Sequence, residues 1–356
     1  MPPLSVMVKP SSSLCNMSCK YCFYHSLARQ RESYSYGQMS FETIERVIYE
    51  ALKFAAGGPF YLSFQGGEPL LRGKEFFRFV LDKIREHNKK HSPVALAVQT
   101  NGLLIDDEWC RLFLEGNFLV GLSLDGEEED NINRVDNAGN PVFGKVLASA
   151  KLLQRYGVDF NVLCVVTERA AKNIARIYKF FASQGFRHLQ FIPCLKPLGS
   201  GYSPFCITER TYGDYLITLF DLYLEDIRNG NYVSVRHLDN FALLAKGQRA
   251  EQCGMNGTCG AQFVVEGDGT VFPCDFYCLD EFKLGNINET TFSDIARLAK
   301  FWQFIKGSAS ESRKCLSCAY YNLCRGGCKR ERIDLEKCAA YKRFFDYALP
   351  ALRKIY

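Results

Sequence analysis

The chain has no uninterrupted apolar run near the roughly 18 to 20 residues that a bilayer-spanning helix needs. Even Phe118 to Leu124 stops at Asp125 and Gly126. It also lacks a basic segment and a long apolar core at its start, Met-Pro-Pro-Leu-Ser-Val-Met-Val-Lys-Pro, so a secretory leader is not expected. Charge of one sign is scarce in excess. The 44 basic and 39 acidic residues leave +5 spread along the chain, which does not argue for a nucleic-acid partner. The densest cluster, Lys89, Lys90 and His91, ends an expected helix and reads as a solvated face. Repeats, low-complexity segments and heptads are missing as well. A soluble cytoplasmic protein of one large and one smaller domain is expected from 356 residues that are 47% hydrophobic.

Cysteine is what the chain has in abundance: 16 residues, in a context that favours reduced thiols acting as ligands or small buried side chains. Three of them, Cys15, Cys19 and Cys22, follow the apolar stretch Leu4 to Val8 with the spacing C-x3-C-x2-C. An electron-carrying cubane is held by four thiolates, so three leave one iron open to something other than protein. That open position points to a chemical step on a bound substrate. A zinc knuckle short of one ligand is the other reading of the spacing.

Short apolar runs alternate with helical segments from residue 4 to about residue 225, the pattern of repeated βα units and a parallel sheet. Strands are expected at 4–8, 60–64, 95–99, 119–124, 160–166 and 189–192, each nearly continuous in apolar residues, as strands covered on both faces are. Helices are expected at 41–55, 74–89, 107–115, 143–156, 171–184 and 208–229. Six units point to an open partial barrel, although periodicity does not separate that from a doubly wound sheet. In such folds the chemistry gathers where strands open into loops at their C-terminal ends. There the second strand runs into Gln65-Gly66-Gly67-Glu68-Pro69, the third into Gln99-Thr100-Asn101-Gly102, the fourth into Ser123-Leu124-Asp125-Gly126 and the sixth into Cys194-Leu195. Paired glycines at a strand end let a ligand approach the backbone.

Beyond residue 250 the composition changes. Cys253, Cys259, Cys274, Cys315, Cys318, Cys324, Cys328 and Cys338 form spaced sets, enough for two complete four-thiolate sites, of zinc or of iron and sulfur. Between them, Gly267-Asp268-Gly269-Thr270 reads as a hairpin turn after a strand at 262–265. Asp275 adjoins Cys274, and a carboxylate placed beside anionic thiolates and sulfides favours taking a proton. Of Cys110, Cys164, Cys194, Cys206 and Cys278, most read as buried small side chains.

The triplet, with Tyr21 ahead of its last cysteine, resembles the signature of the radical S-adenosylmethionine (SAM) superfamily. The resemblance implies an α/β fold, a partial (β/α)6 barrel, in which the open iron binds the amine and carboxylate of SAM. It further implies contacts to SAM from Gly67, with Glu68 supporting the loop, from Ser123 and Arg134, and from the backbone at Leu195. The later cysteines, with four residues between Gly269 and Cys274, resemble a SPASM extension. That resemblance implies one auxiliary [4Fe-4S] cluster on Cys253, Cys259, Cys274 and Cys328 and a second on Cys315, Cys318, Cys324 and Cys338. Residues 1–230 would then be the barrel, 231–340 the auxiliary-cluster domain and 341–356 a C-terminal helix.

Longer strings narrow the resemblance to the anaerobic sulfatase-maturating enzymes: Pro2-Pro3-Leu4-Ser5, Cys22-Phe23-Tyr24-His25-Ser26, Phe118 to Ser123, Cys253 to Cys259, and Gln262 to Glu266 running on to Pro273-Cys274-Asp275-Phe276-Tyr277. This implies oxidation of a sulfatase cysteine or serine to Cα-formylglycine, with three [4Fe-4S] clusters, SAM, and Asp275 as the base. The implied partners are a sulfatase segment of the Cys-x-Pro-x-Arg type and a flavodoxin- or ferredoxin-like reductant, acting on a monomer. Tyr24 and the loops around Gln65 and Gln99 are positional candidates for the peptide groove. Other SPASM peptide modifiers, forming thioethers or cofactor precursors, are the sister reading, and a non-enzymatic iron–sulfur electron carrier is the reading from a different class.

Overall fold

The structure, a computed structural model, describes residues 4–199, 203–310, 312–334 and 337–355. Pro2 and Pro3 of the opening string lie outside the described residues. The chain divides into two compact units, one of residues 1–123, 133–160 and 261–304, the other of residues 124–132, 161–260 and 305–356.

In the first unit β1 (Leu4–Val8) lies at the centre of the sheet, because its alternate residues Leu4, Val6 and Val8 are all buried and both of its edges are paired. On one side it runs parallel to β2 (Phe60–Phe64), with Val6 opposite Leu62, and β3 (Val94–Thr100) and β4 (Phe118–Ser123) continue in parallel. The helices between them are α1 (Phe23–Ala28), α2 (Phe41–Ala55), α3 (Lys74–His87) and α4 (Asp107–Glu115), with α5 (Phe143–Tyr156) after β4. The register of α2 comes from its sequence: Ile44, Val47, Ile48 and Ala51 make one buried stripe, and the Ser40 side chain accepts from Thr43 N at 3.1 Å to cap it. The helix ends where Ala56 turns left-handed.

On its other side β1 pairs in parallel with β8 (Phe263–Val265), Val6 opposite Phe263. A hairpin then leads to β9 (Thr270–Phe272), which pairs with β10 (Gly285–Asn286). The C-terminal end of β1 therefore opens beside the hairpin that leads to Cys274, with those of β2, β3 and β4 following on the same edge of the sheet. Exposed Lys89, Lys90 and His91 follow the end of α3 at His87, two residues earlier than expected.

The second unit takes β5 (Phe160–Val166) from Asn161 onward, and there β5, β6 (His188–Pro193) and β7 (Ser234–Val235) pair in parallel. The two-residue β7 carries too short a pattern to be anticipated. The helix expected over 171–184 is two helices, α6 (Glu168–Lys172) and α7 (Ile174–Ser183). Asn173 separates them: its backbone N bonds both Arg169 O and Ala170 O, and its side-chain amide also donates to Arg169 O at 3.1 Å. Next come α8 (Glu209–Arg228) and α9 (Arg236–Ala245), and the terminal helix Cys338–Leu352 packs on α8 through Phe220 and Phe344, centroids 5.8 Å apart. No helix among the described residues is long and apolar enough to cross a membrane.

Candidate active site

The loop leaving β1 is held from within and from the neighbouring turn. Ser12 N and Leu14 N donate to Lys9 O and Ser11 O at 3.0 and 2.9 Å. The turn after β2 lies against it, Gly67 N donating to Ser12 O and Glu68 N to Leu14 O, each at 2.8 Å. This approach is close enough to require glycine: a Cβ on Gly67 would stand 2.0 Å from Leu14 O. Gly66 is required twice over, by its φ of +110° and by Ser12 O at 2.7 Å from its would-be Cβ.

Glu68 ties the same turn to β3. Its carboxylate accepts from Leu70 N at 3.0 Å, Thr100 Oγ1 at 2.8 Å and Asn101 N at 2.8 Å, and burial nevertheless pushes its pKa up to about 7. The side chain of Asn101 turns back toward the triplet, donating to Asn16 Oδ1 at 2.7 Å and lying 3.7 Å from Cys15 Sγ.

Cys15, Cys19 and Cys22 are half-buried on this loop. Burial first, and then the Glu68 charge, pushes the Cys15 thiol up to about 12. Burial also raises Cys22, opposed by the backbone N–H groups of His25 and Tyr24 at the start of α1 and by the Arg134 charge. Such thiols ionise only against strong positive charge. The triplet thus fits an iron–sulfur cluster, whose irons would hold the three sulfurs as thiolates. Arg134 is buried and lies over the Tyr21 ring at 5.6 Å, so the structure brings Tyr21, Cys22 and Arg134 together. Ser123 Oγ accepts from Gln99 Nε2 at 3.0 Å at the end of β4, linking two of the expected strand-end positions. Leu195 follows β6 in the second unit, where Cys194 N donates to Val166 O at 3.0 Å.

Asp275 opens a single turn directly after Cys274 and is 7% exposed. Sequence reasoning placed this carboxylate among anions alone. The structure adds one cation against it, the Lys9 ammonium. Lys9 Nζ lies 2.8 Å from Asp275 Oδ1 and 3.5 Å from Glu266 Oε1, donates to Cys278 Sγ at 3.2 Å, and sits 4.9 Å from the Tyr24 ring centre. Arg31 Nη1 pairs with Glu266 Oε1 at 2.7 Å. Burial works against the Lys9 ammonium, but Asp275, Cys278 and Glu266 outweigh it and raise its pKa. Tyr24 Oη donates to Asp275 Oδ2 at 2.6 Å. Lys9, Arg31 and Glu266 were missed from the sequence. The available signal was a lysine immediately after a core strand, ahead of the cysteine loop.

In the second unit the thiol of Cys324 is raised by burial and then by the nearby Cys318, Cys315 and Cys338, so these four lie together. Cys259 is likewise raised by burial and by Cys253, and Cys328 by burial, Glu331 and Cys259. A Cβ on Gly254 would stand 3.1 Å from Cys328 Cβ, which brings Cys328 into this second group. Clustered thiols destabilised as anions by their own proximity suit metal ligation. Cys274 belongs to the first unit. Of the five remaining cysteines, most of them expected to be buried, Cys110, Cys164, Cys194 and Cys278 are, whereas Cys206 is half-buried with its thiol 3.3 Å from Cys194 O.

An unsaturated thiolate triplet beside a glycine turn, followed by a field of ligand-type cysteines, defines a radical SAM enzyme with an auxiliary-cluster domain. Residues 10–181 match the radical SAM superfamily and residues 253–319 the SPASM iron–sulfur cluster-binding domain. The chain belongs to the anaerobic sulfatase-maturating enzymes. It is 45% identical to the cysteine-type enzyme of Clostridium perfringens, covering 99% of this chain and 98% of that one. It is 28% identical to the serine-type enzyme of Bacteroides thetaiotaomicron, covering 98% and 90%. Among solved structures, native anSMEcpe with bound AdoMet and Cp18Cys peptide superposes with a TM-score of 0.94 at 43% identity, covering 99% of both chains.

Proposed function

We propose that this chain oxidises a cysteine of a sulfatase to Cα-formylglycine, with Cys15, Cys19 and Cys22 holding the SAM-binding cluster and Asp275 accepting the proton that the target side chain gives up. When bound, the first cluster with SAM would supply 5′-deoxyadenosyl radical chemistry at the target Cβ hydrogen atom, and the saturated clusters an outlet for one electron. Loss of that hydrogen atom, one proton and one electron converts the side chain to a thioaldehyde, and water then replaces sulfur as hydrogen sulfide.

The chain's own residues prepare this. The Gly66–Gly67 turn offers backbone to the methionyl amine. Arg134 supplies a fixed guanidinium for the carboxylate, Ser123 a hydroxyl for the ribose and Leu195 a backbone contact for the adenine, with Tyr21 beneath Arg134. Cys315, Cys318, Cys324 and Cys338 would hold one auxiliary cluster, and Cys253, Cys259, Cys274 and Cys328 supply the ligands of the other. On this reading residues 1–230 carry the radical chemistry, 231–340 the auxiliary clusters, and 341–356 complete the chain. The reductant is a flavodoxin- or ferredoxin-like protein acting on a cytoplasmic monomer.

The observation that carries the reading is the Tyr24–Asp275 hydrogen bond of 2.6 Å. Tyr24 stands two residues after Cys22, so the proposed proton acceptor is tied directly to the triplet. Cysteine is favoured over serine as the target because the cysteine-type relative is 45% identical and the serine-type one 28%.

The test is anaerobic incubation of the reconstituted enzyme with SAM, a reductant and synthetic peptides carrying Cys-x-Pro-x-Arg or Ser-x-Pro-x-Arg, read by mass spectrometry. Aldehyde is expected, faster from the cysteine peptide. Steady release of 5′-deoxyadenosine beside two unmodified peptides would move the chain to another SPASM peptide modification. No 5′-deoxyadenosine from a fully loaded chain would leave only an electron carrier.

A further inference from the structure

The ammonium of Lys9 is buried in a place where charge is costly. Lys9 is 2% exposed, and an ion pair that deep is weak grounds for a stability role, since desolvation offsets most of the attraction. Glu266 has its own cation in Arg31 at 2.7 Å, closer than Lys9 at 3.5 Å. Asp275 has only Lys9 among its ion pairs in the described residues. The two oxygens of Asp275 are also divided between partners, Oδ1 facing Lys9 Nζ at 2.8 Å and Oδ2 receiving the Tyr24 hydroxyl at 2.6 Å. A carboxylate held at both oxygens cannot rotate about its Cβ–Cγ bond. The stem of Lys9 is fixed in turn, because its Cβ and Cγ fill the space a Gly66 side chain would take, each 3.1 Å from that would-be Cβ. One side chain thus runs from the glycine turn to the carboxylate.

We propose that Lys9 is the positioning residue of Asp275: it aims the carboxylate at the target side chain and sets it relative to the Gly66–Gly67 turn. This rests on the reading of Asp275 as the proton acceptor. An acceptor that is free to rotate loses near-attack geometry, and displacements of about 1 Å cost on the order of 100-fold in rate. The radical is still generated without Lys9, but the target radical is less often deprotonated. The signature is therefore a lower yield of product per SAM cleaved.

The experiment compares Lys9→Met, Lys9→Arg, Asp275→Asn and Lys9→Met/Asp275→Asn as reconstituted enzymes. Formylglycine per 5′-deoxyadenosine is measured with the cysteine peptide. Infrared difference spectra with 13C-carboxyl aspartate follow, in the absence of turnover, the band that Asp275→Asn removes. Lys9→Met is expected to lower the product ratio at least about 10-fold, to shift the infrared band, and to add nothing in the Asp275→Asn background. Lys9→Arg, which keeps the charge but moves its donors, is expected to fall between wild type and Lys9→Met. A wild-type ratio and unmoved band in Lys9→Met overturn the proposal, as does a Lys9→Met effect that persists undiminished without Asp275. Should Lys9→Met not fold, a wild-type ratio in Lys9→Arg overturns it and a ratio lowered from wild type, with a shifted infrared band, supports it. A wild-type ratio in Asp275→Asn overturns the base assignment itself. A reduced ratio in Asp275→Asn beside a normal one in Lys9→Met overturns the Lys9 role alone.

Discussion

Replacing Gly67 with alanine adds one methyl group at the point where two functional loops touch. The new Cβ would lie 2.0 Å from Leu14 O, 2.6 Å from Leu14 C and 2.8 Å from Ser13 C, all of them backbone atoms that cannot swing aside as a side chain can. Relief requires the two loops to part by about 1 Å, the gap between that shortest contact and the approach real Cβ atoms tolerate. Parting breaks Gly67 N to Ser12 O and Glu68 N to Leu14 O, both 2.8 Å. At about 1 kcal/mol each, with a further ~1 kcal/mol for overpacking, the cost is about 3 kcal/mol. The larger consequence is chemical, because Ser13 and Leu14 lead straight into Cys15. A shift of about 1 Å between the proposed SAM cradle and the loop of the cysteine triplet is expected to lower 5′-deoxyadenosine formation by on the order of 100-fold. The assay is anaerobic 5′-deoxyadenosine release by chromatography, with iron content and thermal unfolding measured on the same samples. Gly144→Ala is the control: nothing lies within 4 Å of its would-be Cβ in α5, so that variant should be neutral or slightly stabilised. A Gly67→Ala enzyme with wild-type unfolding temperature and wild-type SAM cleavage would refute the argument from close approach.

Asp275→Asn is expected to retain all three clusters while its formylglycine yield per SAM cleaved falls by about 10²- to 10⁴-fold, the range for a lost general base, measured by peptide mass spectrometry. Cys324→Ala should lower iron from about 12 to about 8 atoms per chain, whereas Cys278→Ala, whose sulfur contacts Lys9, should keep about 12; equal iron in the two variants contradicts the ligand sets. His237 in α9 has its pKa lowered to about 4 by burial and by the Lys337 charge. It is neutral in the folded chain while the unfolded chain binds a proton below about 6.5. Stability is therefore complete above pH 6.5 and lost as pH falls toward 4, by up to about 3 kcal/mol. Urea unfolding at pH 7 and pH 5 should show the loss, and His237→Phe should reduce it.

The elements carrying the chemistry were largely legible from residue pattern. Leu4–Val8, Phe60–Phe64 and Phe160–Val166 were bounded correctly because each is a short, mostly apolar run with alternate residues buried, cut off by polar or proline residues. The strand near 262–265 was also legible, but not its partner: pairing with β1 depends on register between segments far apart, which local composition does not encode. The break at Asn173 was hidden for a local reason, a side-chain bond to Arg169 O inside an otherwise helical pattern, and β7 because two residues carry no period.

By itself the sequence determined the inventory of thiol ligands, since cysteine number and spacing restrict which sets of three or four can form. It also determined the glycine turn, because a missing Cβ is written in the residue itself. Tertiary structure alone decided the environment of Asp275. The sequence places that carboxylate directly after Cys274, a proposed cluster ligand. Only the parallel pairing of β1 with β8 carries Lys9 to it, and only the start of α1 after Cys22 brings Tyr24 to its other oxygen. Covalent identity decides what a side chain can bind, whereas through-space charge falls with distance and depends on the fold that sets those distances.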